Sequence, residues 1–179
     1  MPQAVIVYYS RTGTTRQVAQ AVAERTGWPL AEVADVKSRA GFLGDLRCVM
    51  DNLLQRSVAF RYNGPPLDQC DDVVVLAPVW VVRLAAPMRS FLAASVPKPP
   101  LASRVAAICL MGGRGGFQAE AEIARLVGKK PSPALVLTER DVLSGAANAE
   151  IDTFVQSLRS LQAEHDPAAR PAWLSPKET

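Results

Sequence analysis

Apolar positions recur along the chain in two periods. The run Ala4 to Tyr9 (Ala-Val-Ile-Val-Tyr-Tyr) is unbroken and rich in β-branched and aromatic residues, the pattern of a strand covered on both faces. From Thr14 to Thr26 the period changes: Val18, Ala19, Ala21 and Val22 recur at helical spacing, with Gln17, Gln20, Glu24 and Arg25 between them. The same alternation continues. Strands are expected over Leu30 to Val36, Asp72 to Pro78, Arg104 to Leu110 and Pro133 to Thr138. Helices are expected over Gly41 to Ser57, Pro87 to Ala94, Ala119 to Val127 and Asn148 to Ala163. Pro87 suits a first helical turn, Gly128 a helix C-cap, and Asn148 an N-cap.

Five strands alternating with five helices call for an α/β fold: a doubly wound five-stranded parallel sheet with helices on both faces. In such sheets ligands bind beyond the carboxyl ends of the strands, where the strand order reverses. The ends of the first, third and fourth expected strands are therefore the places to seek a site. Residues 1–164 read as one domain and residues 165–179, with Pro167, Pro171 and Pro176, as an irregular tail. The Pro- and Gly-containing stretch Arg61 to Cys70 reads as a connection.

The first strand hands over to its helix through Ser10-Arg11-Thr12-Gly13-Thr14-Thr15. A helix N-terminus offers backbone N–H groups without intrahelical partners and the positive end of the dipole, so an anion fits there. The hydroxyls of Ser10, Thr12, Thr14 and Thr15 can donate to phosphate oxygens, and Gly13 permits a tight turn. No Gly-Lys-Ser/Thr follows, so this is not a nucleotide-hydrolysing phosphate loop, and it is not the Gly-rich dinucleotide fingerprint. The alternative is that these hydroxyls only cap the helix.

Composition narrows the chemistry. With 179 residues, 49% apolar and 21% charged, the chain has the balance of one folded domain. Its longest apolar stretch, Val73 to Val82, is about half a bilayer span, and no basic leader precedes Ala4, so we expect a cytoplasmic protein without a membrane partner. Cys48, Cys70 and Cys109 form no Cys-x-x-Cys pair and His165 is the single histidine, so neither a metal site nor a Ser-His-Asp or Cys-His hydrolase is expected. The net charge of +3 is scattered, without the aromatic-interleaved basic stripe of a nucleic-acid binder.

At the other two strand ends stand Ala77-Pro78-Val79-Trp80-Val81-Val82-Arg83, followed by Ala86-Pro87-Met88-Arg89-Ser90-Phe91-Leu92, and Leu110-Met111-Gly112-Gly113-Arg114-Gly115-Gly116-Phe117. With these segments residues 4 to 163 resemble the flavodoxin family: Ser-x-Thr-Gly-x-Thr after the first strand, a Pro-x-Trp loop after the third, and a Gly-rich loop after the fourth. The resemblance implies one non-covalent FMN. Its phosphate would lie on Ser10, Arg11, Thr12, Gly13, Thr14 and Thr15. Its ring would lie between Pro78, Val79, Trp80 and Val81 on one side and Met111, Gly112, Gly113, Arg114 and Phe117 on the other. Trp80 offers a flat apolar face, and the glycines let backbone N–H groups approach the ring edge. The alternative is that Trp80 is a core tryptophan at a strand end. No protein side chain is expected to be catalytic; the cofactor carries the chemistry.

The chain departs from the acidic flavodoxin pattern. Arg83 and Arg114 lie in the flavin loops and Arg11 and Arg16 flank the phosphate, which should favour a negatively charged reduced ring. Val81 and Val82 stand where the family commonly has a glycine whose peptide turns to the flavin N5–H. β-Branched residues resist positive φ, from which we expect weak stabilisation of the half-reduced flavin. The resemblance implies an electron carrier between a reductase partner and an unidentified acceptor. The alternatives are an NAD(P)H-dependent quinone or flavin reductase, taking a small quinone or nicotinamide, and a flavin-free partner-binding module.

Overall fold

The structure is a computed structural model that describes residues 4–36, 50, 53–54, 56–95 and 104–165. In chain order it runs β1 (Ala4–Tyr8), α1 (Thr14–Thr26), β2 (Leu30–Asp35), β3 (Phe60–Tyr62), a 3-10 turn (Leu67–Gln69), β4 (Asp72–Trp80), β5 (Arg83–Leu84), α2 (Ala86–Ser95), β6 (Arg104–Met111), α3 (Gly116–Val127), β7 (Ala134–Thr138), α4 (Glu139–Ser144) and α5 (Asn148–His165). The expected helix Gly41 to Ser57 lies mostly outside the described residues, as do Cys48 and the tail beyond His165.

The five expected strands form the parallel part of the sheet, in the order β2-β1-β4-β6-β7. The sheet has seven strands among the described residues rather than five. One addition is β3, three residues antiparallel to β2 at the sheet edge, with Val33 opposite Tyr62. It arises within the stretch expected to be a connection. Phe60 and Tyr62 both turn onto Phe91 of α2, at ring-centroid distances of 5.6 and 4.5 Å, so packing across the fold rather than local propensity makes this strand. The other addition, β5, folds back on the end of β4. The short helix α4 was also unexpected. Its start is nonetheless legible: Thr138 Oγ1 accepts from the Asp141 N–H at 3.2 Å in a Thr-x-x-Asp box. Asn148, expected as an N-cap, is the first helical residue of α5.

Two cores flank the sheet. On one face α2 and α3 bury Met88, Phe91, Leu92, Ala119, Ile123 and Val127 against Val5, Val7, Val73, Val75 and Cys109. On the other, α1 and α5 bury Val18, Val22, Ile151, Phe154 and Leu158 against Ile6, Val74, Leu76 and Ile108. Successive strand residues point to opposite faces, so each strand feeds both cores, which is why these strands read as continuous apolar runs. At the amino-terminal end of β4 the buried Asp72 accepts two hydrogen bonds from the Arg104 guanidinium (2.6 and 2.7 Å) and one from Gln162 Nε2 (2.7 Å). This ties β4, β6 and α5 together at the end of the sheet opposite the carboxyl ends of the strands.

Burial also sets a pH limit. Desolvation pushes the Cys109 thiol from 9.0 to about 12 and the Tyr62 phenol from 10.0 to about 12. The folded state holds these protons more tightly than the unfolded chain, so their contribution is intact below the ordinary values and is lost as pH climbs toward about 12. We expect urea midpoints to be flat on the acid side of this window and to fall across it. We further expect Cys109, 1% exposed, to resist iodoacetamide in the native protein and to be alkylated only in denaturant, as read by peptide mass spectrometry.

Candidate functional site

The strand register determines how the three loops stand. Tyr8, the last residue of β1, is level with Leu76, whereas β4 runs on to Trp80 and β6 reaches Met111, level with Val79. Four residues of extended chain separate Leu76 from Trp80, a rise of roughly 13 Å. The β1–α1 loop therefore forms a low step and the β4 and β6 ends form raised walls beside it.

On the step, Gly13 sits at φ 100 as the N-cap of α1 and donates its N–H to Ser10 Oγ at 3.2 Å. The turn needs left-handed backbone, which glycine supplies without strain. The N-cap glycine has no side chain to cap α1, and the first turn of the helix contains no acid. The positive end of the helix is left facing the loop. Ser10, Arg11 and Thr12 line the open side, while Thr14 and Thr15 are buried, 8% and 3% exposed. Arg16 does not point to this step: it pairs with Glu32 of β2 at 2.6 Å, and that hydrogen bond, with a lesser one involving Tyr8, raises its pKa.

The first wall is not an open loop but a hairpin. Val79 pairs with Leu84 and Trp80 with Arg83, which leaves Val81-Val82 as a two-residue turn. Both valines adopt positive φ, 51° and 64°, the geometry of a type I′ turn that normally takes Asn-Gly. The resistance of β-branched residues to positive φ is thus overridden here. Two-residue closure of an antiparallel pair favours such a turn, and Val82 is held against Gly115. Pro78 and Val79 are buried in the sheet and set the height of the hairpin rather than forming its surface. Trp80 packs at the strand end as the core reading expected, with part of its surface left exposed. It is half-buried against the α2/α3 core and meets Tyr9 edge to face at 5.5 Å and 81°. Tyr9 in turn donates its hydroxyl to Asp35 at 2.7 Å.

The second wall is Met111 to Phe117. Gly112, Gly113 and Arg114 are exposed, and Gly112 and Gly113 have open space where a side chain would be. Gly115, at φ 100, is the N-cap of α3 and lies against the hairpin: a Cβ added there would come within 2.5 Å of Val82 Cα. The walls therefore touch at Val82 and Gly115. Phe117, on the first turn of α3, is 76% exposed.

Three contributors were not anticipated. Tyr9 supports Trp80, Gly115 receives the hairpin, and Glu122 clamps its foot. Glu122 Oε2 accepts the Leu84 N–H at 3.1 Å, and Oε1 lies 3.9 Å from Arg89, whose guanidinium also donates to the Arg56 carbonyl. Glu122 reads in sequence as an ordinary polar helix position; only its helical phase beside the buried Ile123 hinted at more. Between hairpin and α3 lies a groove of about 740 Å³ lined by Val81, Val82, Arg83, Gln118, Ala121, Glu122 and Arg125.

No protein-family model matches the chain and no curated protein matches it in sequence. Solved structures do resemble it. A flavoprotein of Lactobacillus acidophilus NCFM, solved in complex with FMN, superposes with a TM-score of 0.62 at 15% identity over 80% of this chain and 98% of its own. A flavodoxin, WrbA-like protein of Agrobacterium tumefaciens gives 0.51 at 14% identity over 89% and 99%. The rubredoxin oxygen:oxidoreductase of Desulfovibrio gigas gives 0.57 at 16% identity over 92% of this chain, which spans only 37% of that protein. The fold is therefore flavodoxin-like. Among the described residues no helix is long and apolar enough to cross a membrane, and no group of three or more His, Cys, Asp or Glu could hold a metal ion.

Proposed function

We propose that the chain binds FMN without a covalent link and passes electrons between a reductase and an acceptor. The observation that carries this reading is the uncapped, acid-free N-terminus of α1, with Gly13 left-handed in its hydroxyl-bearing loop, set at the same sheet edge as Trp80 and an open glycine loop. The donor set fits the group. Ser10, Thr12 and the backbone N–H groups of the α1 turn suit a phosphate, Trp80 supplies apolar surface, and Gly112 and Gly113 leave space for backbone approach to a ring edge. One of the structural neighbours was solved with FMN. FMN, when bound, supplies reversible electron carriage that no side chain of this chain provides. The protein's part is to hold the phosphate, orient the ring and set the surrounding charge.

The decisive experiment is a titration of the purified protein with FMN, followed by flavin fluorescence and visible absorbance. Quenching with a shifted yellow spectrum is expected; a protein that stays colourless removes the reading. Mixing the yellow protein with NADPH and a quinone then assigns its class. Slow turnover that accelerates on adding a reductase supports a carrier, and rapid turnover without one makes it an oxidoreductase. The exposed Arg114 makes negative charge on the reduced ring more favourable. Arg114→Ala is accordingly expected to lower the two-electron potential by roughly 20 mV, the equivalent of about 1 kcal/mol for an exposed charge. An unchanged or raised potential in a redox titration counts against that assignment.

A further inference from the structure

The face formed by the hairpin tip and the outer side of α3 is unusual in two respects. It gathers exposed apolar side chains: Phe117, at 76% the most exposed large hydrophobic among the described residues, stands with Val81 at 46% and Val82 at 44%. Its exposed charges, Arg83, Arg114 and Arg125, all carry the same sign. Of the nearby carboxylates, Glu122 is turned inward to Leu84 and Arg89, its side chain 9% exposed, and Glu120 is only partly exposed. On α3, residues 117, 118, 121 and 125 share the side opposite the buried Ala119, Ile123 and Val127, so Phe117 and Arg125 look outward together along the groove edge.

We infer that this face is the docking surface for an acidic protein, one presenting carboxylates around an apolar centre. The inference deepens the electron-carrier reading by naming the class of partner, and it rests on that reading only for its purpose. Three observations select this occupant. Aromatic and arginine side chains at the middle of a patch are the usual anchors of a protein interface. Uniform positive charge around them selects a negative partner and repels a positive one. A small ligand would be enclosed over most of its surface, whereas Phe117 and the valine tip project outward. A lipid surface is recognised by denser basic clusters of about four to eight residues, and this face has three.

The test uses a plant-type [2Fe–2S] ferredoxin as the acidic probe and cytochrome c as the basic counter-probe, with binding measured by calorimetry to the FMN-treated protein at low and high ionic strength. Ferredoxin is expected to bind at low salt and to weaken as salt rises. Arg125→Glu and Ala121→Glu, both on the exposed side of α3 and outside the proposed flavin contacts, should each weaken binding several-fold and together at least tenfold, with FMN affinity unchanged. Ferredoxin binding that ignores both substitutions overturns the inference. So does cytochrome c binding as tightly as ferredoxin, or a preference for phosphatidylserine vesicles or 2′,5′-ADP that the same substitutions abolish. Failure of the flavin reading shows separately, as a colourless protein in wild type and variants alike.

Discussion

Replacing Val81-Val82 with Asn-Gly is expected to stabilise the protein by about 2 kcal/mol, read as a higher urea midpoint at unchanged slope and a melting temperature raised by roughly 5 °C. Both valines are held at positive φ, 51° and 64°, and a non-glycine residue in such a region costs about 1–3 kcal/mol. Asn-Gly is the sequence that a type I′ turn prefers. Two terms oppose the gain. Glycine adds roughly 0.5–1 kcal/mol of chain entropy to the unfolded state, and the valines are about half exposed, so modest apolar burial, including the contact of Val82 with Gly115, is forfeited. Relief at two positions exceeds these losses. A midpoint that stays put or falls would mean that the turn is not strained in this way. The retention of an unfavourable turn where the chain also exposes apolar side chains suits a tip selected for contact, and the stabilised variant should accordingly bind the acidic probe less well.

Thr12→Asp should raise the FMN dissociation constant about 100-fold or more while leaving riboflavin affinity almost unchanged. Thr12 is exposed on the step in front of α1, where no acid and no capping side chain now stand. A carboxylate there would face the phosphate of FMN. Like charges a few ångströms apart at a protein surface cost roughly 3–4 kcal/mol per charge pair, and about 2.7 kcal/mol already corresponds to 100-fold in affinity. Riboflavin lacks the phosphate and serves as the control. The same carboxylate sits favourably toward the helix dipole, so thermal stability should hold or rise slightly, which separates lost binding from lost folding. Equal FMN affinity in mutant and wild type would remove the phosphate from this loop. A parallel loss of riboflavin affinity would place the damage in the ring pocket instead.

Much of this molecule is written locally. The five parallel strands and the helices α1, α2, α3 and α5 fall within a few residues of their expected ranges, because a strand buried on both faces and an amphipathic helix each require a composition that shows in a short window. The step before α1 was legible for the same reason: its glycine and hydroxyls lie side by side in sequence, next to the helix they precede. The glycine loop after β6 was legible too, although Gly115, the glycine that touches the hairpin, stood out no more than its neighbours.

What escaped the sequence depends on residues far apart. The three-residue β3 exists through pairing with β2 and the packing of its rings on Phe91. Arg16 turns away from the loop because Glu32 on the next strand takes it. Glu122 acquires a role from Leu84, 38 positions earlier. The hairpin at Val81-Val82 runs against its own local preference and is imposed by the closing pair Trp80–Arg83. By itself, then, the sequence determined the layered architecture and the glycine- and hydroxyl-bearing step before α1, since both follow from adjacent residues and solvent. The tertiary structure alone decided the heights of the walls, the strained turn and the outward cationic face. Those depend on strand register and on contacts between distant segments, whose combined energy outweighs the conformational preference of any single residue.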